Sequence, residues 1–333
     1  MSTFSKNIEW INTGRALCML CVFIAHCNFY YQNHISFLYF AYKPFYLSFF
    51  FFLSGFLFFK ELDNYPFKKK IKSIICKLLW PVIVFPSIIW IPKTIAHSSD
   101  VTILSYFTDI LGGPAAWFVS TLLVAQLLSL LLIYLFKNRL WLMLLIGFIT
   151  MILAFELVKI QPEPFPWYYK SGMIALFFLV LGGITRKYYD KISHFISIKN
   201  LVVSAIIYFG VTIYNYYNLG YFQAIMSVDY DNIPFGILSN LLGIFFILQL
   251  SHALPNINWL QYIGKNTLLF YFFGGGVPLV IGQLALRFIP FDGYVMTFIE
   301  TVFCVAILFP ITYVINKYFP WTLDFSKIIN RKS

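Results

Sequence analysis

Apolar residues run along this chain in long blocks, separated by short polar stretches rich in lysine, aspartate, asparagine and proline. A helix needs about 20 mostly apolar residues to cross a bilayer. Ten stretches approach that length: 11–31, 44–59, 74–95, 114–136, 139–158, 171–187, 199–217, 234–254, 266–289 and 294–316. The second and sixth are short. The third holds Pro81 and Pro86, which predict a kink. The pattern therefore predicts an all-α fold: a polytopic transmembrane helical bundle that takes in residues 1–333 as a single domain. No polar block is long enough to fold by itself.

Ten spans place both ends of the chain on one side, and the cations choose that side. Of the 24 lysines and arginines, 19 fall on the side of the termini. The five exceptions are Lys43, Lys93, Lys159, Lys170 and Arg287. Cytoplasmic loops carry such an excess, so both termini are expected inside, in a multi-pass protein of the cell inner membrane. The polar stretch before the first span is short and no small-x-small site follows it, so no cleavable leader is expected. No soluble domain is expected after the tenth span.

Composition strengthens this reading. Hydrophobic residues make up 60% of the chain and charged residues 11%, against about 25% charged in a soluble protein. The net charge of +11 does not point to nucleic acid, because the cations sit in short loops between spans. Cys18, Cys21, Cys27, Cys76 and Cys304 all lie in apolar runs. The Cys18–Cys21 pair has the C-x-x-C spacing without the loop that redox or zinc chemistry uses, so the cysteines read as core filling. His34, His97, His194 and His252 are scattered over loops and span ends, and no metal site is expected. The longer outer loops, 96–113 and 218–233, carry Asp100, Asp109, Asp229 and Asp231. Tyr30, Tyr31, Trp167, Tyr168, Tyr169, Tyr216, Tyr217 and Tyr221 lie near the outer span ends. They suit either an interfacial aromatic belt or a sugar-stacking surface.

Arg15 and His26 in the first span have a sharper meaning. Eleven residues of helix turn through about 1100°, within roughly 20° of three full turns, and rise about 16 Å. The two side chains therefore share a face. Arg15 lies at the inner entrance and His26 in the outer half of the bilayer. Arg15 alone reads as a snorkelling end residue, and His26 alone as a satisfied core histidine. Together they suit a cationic anchor for a phosphorylated donor and, deeper in, an imidazole base for a hydroxyl. The separation is comparable with an extended pantetheine arm.

The arrangement resembles the signature of the acyltransferase family 3 integral-membrane proteins. "IEWINTGRALCMLCVFIAHC" matches that family's first helix, with Arg-x10-His. "FFFFLSGFLFFKE" resembles its second span, "FKKKIKSIICKLLWP" its basic inner loop, "AAWFVSTLLVAQLL" its Trp-Phe span and "YIGKNTLLFYFF" its late Gly-x-x-Ser/Thr-Leu segment. The likeness covers nearly the whole chain. Two departures stand out. The inner loop uses lysines where the family often has arginines, which replaces a bidentate fork by a point charge. Gly274 stands where the family commonly has a histidine about three residues after the tyrosine.

The resemblance implies transfer of an acyl group, by family habit acetyl, from acyl-CoA to a hydroxyl of a surface polysaccharide or its lipid-linked precursor. Acetyl-CoA is then the donor substrate, with no metal, and membrane lipid the surroundings. His26 is the expected base and Arg15 the phosphate anchor. Arg186, after "LGGIT", and Lys70, in the run Lys68–Lys69–Lys70–Lys72, join Arg15 at the donor phosphates; their plain alternative is a positive-inside flank or a lipid-facing loop. Glu300 lies about six residues into the last span. It either orients the His26 imidazole or hydrogen-bonds another helix. Glu156, near a span end, reads as reaching the interface. Ser54 and Gly55 read as a close-packing pair, Gly274 to Gly276 as a backbone break, and Gln126 and Gln249 as partners for a sugar or a neighbouring helix. A transporter or flippase for a lipid-linked sugar is the rival function. Pro81–Pro86 and Gly274–Pro278 are its faint pair of matched breaks.

Overall fold

The computed structural model describes residues 3–32, 36–60, 62, 64–96, 102–162, 166–254, 256–274, 276, 277, 280, 284 and 293–329. The fold is all-α. Nine helical stretches among the described residues are long and apolar enough to cross a membrane: Glu9–Asn28, Phe37–Phe58, Phe67–Ile89, Pro114–Phe136, Leu140–Ile160, Pro166–Lys187, Ile198–Leu219, Ile233–Ala253 and Tyr294–Tyr318. They correspond to nine of the ten expected spans. The expected span 266–289 begins as a helix, Thr267–Gly274, beyond which only residues 276, 277, 280 and 284 of it are described.

In chain order the helices are α1 (Thr3–Gln32), α2 (Phe37–Tyr42), α3 (Tyr46–Phe58), α4 (Phe67–Ile74), α5 (Trp80–Ala96), α6 (Ile103–Leu111), α7 (Trp117–Phe136), α8 (Leu140–Ile160), α9 (Tyr169–Lys187), α10 (Tyr189–Ser193), α11 (Ile198–Tyr214), α12 (Ile233–Ala253), α13 (Asn258–Lys265), α14 (Thr267–Gly274) and α15 (Tyr294–Tyr318). A short helix, Ser326–Ile329, follows. The described strands are a two-residue pair, Gln223–Ala224 with Asp229–Tyr230.

Three local features refine the expected boundaries. The second span is longer than the apolar run suggests, because α2 and α3 follow one another across the turn at Lys43–Phe45. The proline-bearing third span is continuous. A π-helical stretch, Ile75–Leu79, leads into α5, and its wider hydrogen-bond step absorbs the donor that Pro81 lacks. In the sixth span, a 3₁₀ turn at Pro166–Tyr168 precedes α9.

The chain forms two compact units. The first comprises Met1–Phe50, Tyr189–Gln223 and Tyr230–Tyr313. In it α1 packs on α12, α13 and α14, and α11 packs on α12. The second comprises Phe51–Tyr188, Ala224–Asp229 and Val314–Ser333. In it α9 is the central helix, against α7 and α8. The span containing α9 is 89% buried, while those containing α8 and α11 are 28% and 17% buried. Leu145, Phe148, Ile149 and Ile152 of α8, and Ile206 and Ile207 of α11, are exposed. Such apolar faces on spanning helices are surfaces for lipid tails.

Candidate active site

The first unit holds Arg15, His26 and Glu300; the second holds Lys70 and Arg186. In the first unit the α1 segment before Arg15 is clamped by α13. Asn12 Nδ2 donates to Gln261 Oε1 at 2.9 Å. Gln261 Nε2 donates in turn to the Glu9 carbonyl at 2.9 Å and to Thr13 Oγ1 at 3.0 Å. Gly264 lies so close that a Cβ there would overlap the Asn12 carbonyl. A buried glutamine with its amide engaged at both ends is a rigid support. It fixes the turn of α1 from which Arg15 projects.

Arg15 is half-buried, and its guanidinium has no hydrogen bond, ion pair or ring contact among the described residues. Guanidinium offers five donors, so a half-buried, unengaged one has the chemistry to take an anion. His26 is exposed, one helical face along, and makes no hydrogen bond among the described residues. Met19 and Val22, on the same face between the two, are 2% and 9% exposed. Phe23, beside them, is fully buried against Phe270 of α14 in an edge-to-face pair at 6.3 Å. The face is thus reachable at both ends and covered in its middle.

Lys43 was missed as a site residue. Its ammonium interacts electrostatically with His26 and lies 5.1 Å from the Tyr39 ring centroid and 5.7 Å from that of Tyr46. Tyr42 and Tyr46 are 6% and 7% exposed. A cation held over aromatic faces beside an accessible imidazole makes a polar, ring-lined surround. The signal was in the sequence: Lys43 is one of the five cations on the minority side of the charge count.

Glu300 is 1% exposed. Its carboxylate lies against the thiols of Cys27 and Cys304, with all ligand atoms within 4.8 Å of one another. Neither oxygen has a hydrogen-bond partner of normal geometry. Glu300 thus reaches α1 at the residue after His26 and makes no hydrogen bond to the imidazole. Cys27 projects about 100° around the helix from His26, which explains why a side chain bound for Cys27 does not also meet the ring.

In the second unit, α3 and α9 meet backbone to backbone. A Cβ on Gly55 would overlap the Leu179 carbonyl, and one on Gly182 would overlap the Phe52 carbonyl. Small residues bring spans this close when lipid offers no hydrophobic drive. The approach carries Arg186 to 5.1 Å above the Phe56 ring. Lys70 is the half-buried member of its run, while Lys68, Lys69 and Lys72 are exposed. Its ammonium lies 5.0 Å from the Phe58 ring centroid and 5.8 Å from that of Tyr65.

A family model described as an acyltransferase domain matches residues 8–317. The chain belongs to acyltransferase family 3. The match spans Arg15, His26, Lys70, Arg186 and Glu300 alike. No curated protein and no solved structure matches it. Four further polar residues of this membrane acyltransferase have structural partners. Gln126 Nε2 donates to Ser54 Oγ at 3.1 Å. Gln249 accepts from the Ser197 amide at 3.2 Å and donates to the Phe195 carbonyl at 3.0 Å, closing the turn before α11. Glu156 is exposed and pairs with Lys159 at 2.8 Å. His252 bridges Tyr189 and the Leu248 carbonyl, each at 2.8 Å, and stacks on Trp10. His34, His97 and Arg287 lie outside the described residues.

Proposed function

We propose that this acyltransferase moves an acetyl group from acetyl-CoA to a hydroxyl of a surface polysaccharide or its lipid-linked precursor, in the cell inner membrane with both termini cytoplasmic. The observation that carries the reading is the pair of polar side chains, Arg15 and His26, on one face of α1, neither hydrogen-bonded among the described residues. Arg15 binds a donor phosphate by charge-assisted hydrogen bonds. Arg186 and Lys70 are, by themselves, the second unit's candidate cations for a phosphate.

His26 acts as general base. Its free ring nitrogen takes the proton from the acceptor hydroxyl as that oxygen attacks the thioester carbonyl carbon. The new C–O bond forms, the C–S bond breaks, and the departing thiolate recovers the proton from the imidazolium to leave as the thiol. Lys43 and its tyrosines supply hydrogen bonds and ring faces that suit a sugar. Met19 and Val22 cover the route between anchor and base, so the donor arm displaces or skirts them on binding. Glu300 keeps a place beside Cys27 at the depth of His26, where it steadies the helix that presents the base.

The test is acetyl transfer by the purified chain in vesicles, with acetyl-CoA and a lipid-linked glycan acceptor. Wild type is expected to produce O-acetylated glycan and free CoA, and His26→Ala to produce neither at normal protein level. Undiminished acetylation by His26→Ala would end the assignment. Movement of the glycan across the vesicle wall without any acyl donor would favour the transporter instead.

A further inference from the structure

We infer that Cys27, Glu300 and Cys304 form a zinc site that pins α1 to α15. The three side chains are 0%, 1% and 0% exposed, and their ligand atoms lie within 4.8 Å of one another. Glu300 and Cys304 stand one turn apart on α15, so they project from one face; Cys27 meets them from α1. The independent observation is Glu300. Both its oxygens are buried with no hydrogen-bond partner among the described residues, in a bundle where an unpaired carboxylate is costly. A cation is what such a group lacks.

The donor set chooses the ion. Two sulfurs and one carboxylate suit zinc and fill three positions of its tetrahedral shell, with a water or the second carboxylate oxygen completing it. Calcium and magnesium require a shell of oxygens that this cluster does not offer. Binding deprotonates both thiols: the ion enters, two protons leave, and two Zn–S bonds and one Zn–O bond form. The occupied cluster then carries one negative charge, the same as the empty cluster with an ionised glutamate. Zinc adds no net charge to the membrane interior and gives the carboxylate a partner. A Cys27–Cys304 disulfide would use the same sulfurs but leave Glu300 alone, so it accounts for less. This departs from the expectation of no metal. The cluster is built from a glutamate and from cysteines that read as core filling.

The experiment is elemental analysis of the full chain, purified in detergent by a peptide tag that needs no metal resin, from cells grown with zinc. About one zinc per chain is expected. Glu300→Gln and Cys304→Ser are each expected to lose at least about tenfold of it, and His26→Ala to retain it, which separates this site from the catalytic proposal. Should the variants fail to fold, cobalt-grown wild type is expected to show thiolate-to-cobalt charge-transfer absorption. Zinc-free wild-type protein with no such band, or a Cys27–Cys304 disulfide found by peptide mass analysis, would overturn the inference.

Discussion

Helices α1 and α9 both carry cations inside the protein, and they treat them in opposite ways. Lys170, at the start of α9, is wholly buried; it donates to the Gln161 carbonyl and lies 5.4 Å from the Tyr169 ring centroid. Arg15 on α1 is half-buried and His26 exposed, and neither makes a hydrogen bond among the described residues. Burial with partners is a structural use of charge; access without partners leaves the group for a ligand. In a membrane this distinction matters more than hydropathy. The spans that contain α1 and α11 have the same mean hydropathy, 1.3, yet one is 61% buried and the other 17%.

The comparison can be broken most directly at His26. His26→Ala is expected to lower acetyl transfer by about 10²- to 10⁴-fold, the usual contribution of a general base, with thermal unfolding unchanged. A large fall in melting temperature would make His26 a packing residue like Lys170. Next is the reverse experiment on α9. Gly182→Ala puts a methyl against the Phe52 carbonyl, and overpacking of that kind costs about 1–3 kcal/mol or more. Thermal scanning of the purified variant reads this. Arg15→Ala is expected to raise KM for acetyl-CoA about 10- to 100-fold, from the loss of charge-assisted hydrogen bonds, with a smaller change in kcat. A fall confined to kcat would place Arg15 away from the donor.

Two smaller effects sharpen the contrast. Gly210 of α11 is exposed, and a Cβ there meets nothing within 4 Å. Gly210→Ala is expected to leave stability unchanged or raise it by up to about 1 kcal/mol through helix propensity. Asp324 supplies a pH test outside the membrane. Partial burial alone would raise its pKa, but the hydrogen bonds from the Ser326 hydroxyl and amide and the Lys77 charge hold it below the ordinary carboxylate value. The sign follows: this contact stabilises the fold at neutral pH and is lost as pH falls through the lowered pKa. Asp324→Asn is expected to flatten that acid limb slightly in a stability profile.

The spans were legible because twenty apolar residues in a row have few other uses. So was the shared face of Arg15 and His26, which follows from helical pitch alone. Gly55 read correctly as a close-packing residue, since its neighbours are large and lipid gives helices no other reason for a glycine. Other features depend on pairs far apart in the chain. Nothing near Cys27 announces that Glu300 and Cys304 will meet it, and nothing near Asn12 announces Gln261. Lys43 preceded a proline and read as a span boundary, which hid both the continuation from α2 to α3 and the lysine's nearness to His26. The π-helical turn before Pro81 leaves no mark in hydropathy.

The covered middle of the α1 face has a bioenergetic consequence. An enzyme that takes its donor from one compartment and serves an acceptor in the other risks becoming a leak. Met19, Val22 and Phe23 close the stretch between the two accessible ends with apolar bulk, and dewetted constrictions of this kind stop water files and the protons that hop along them. On the roles proposed above, this face would present a base at one end and an anion anchor at the other without discharging the membrane potential.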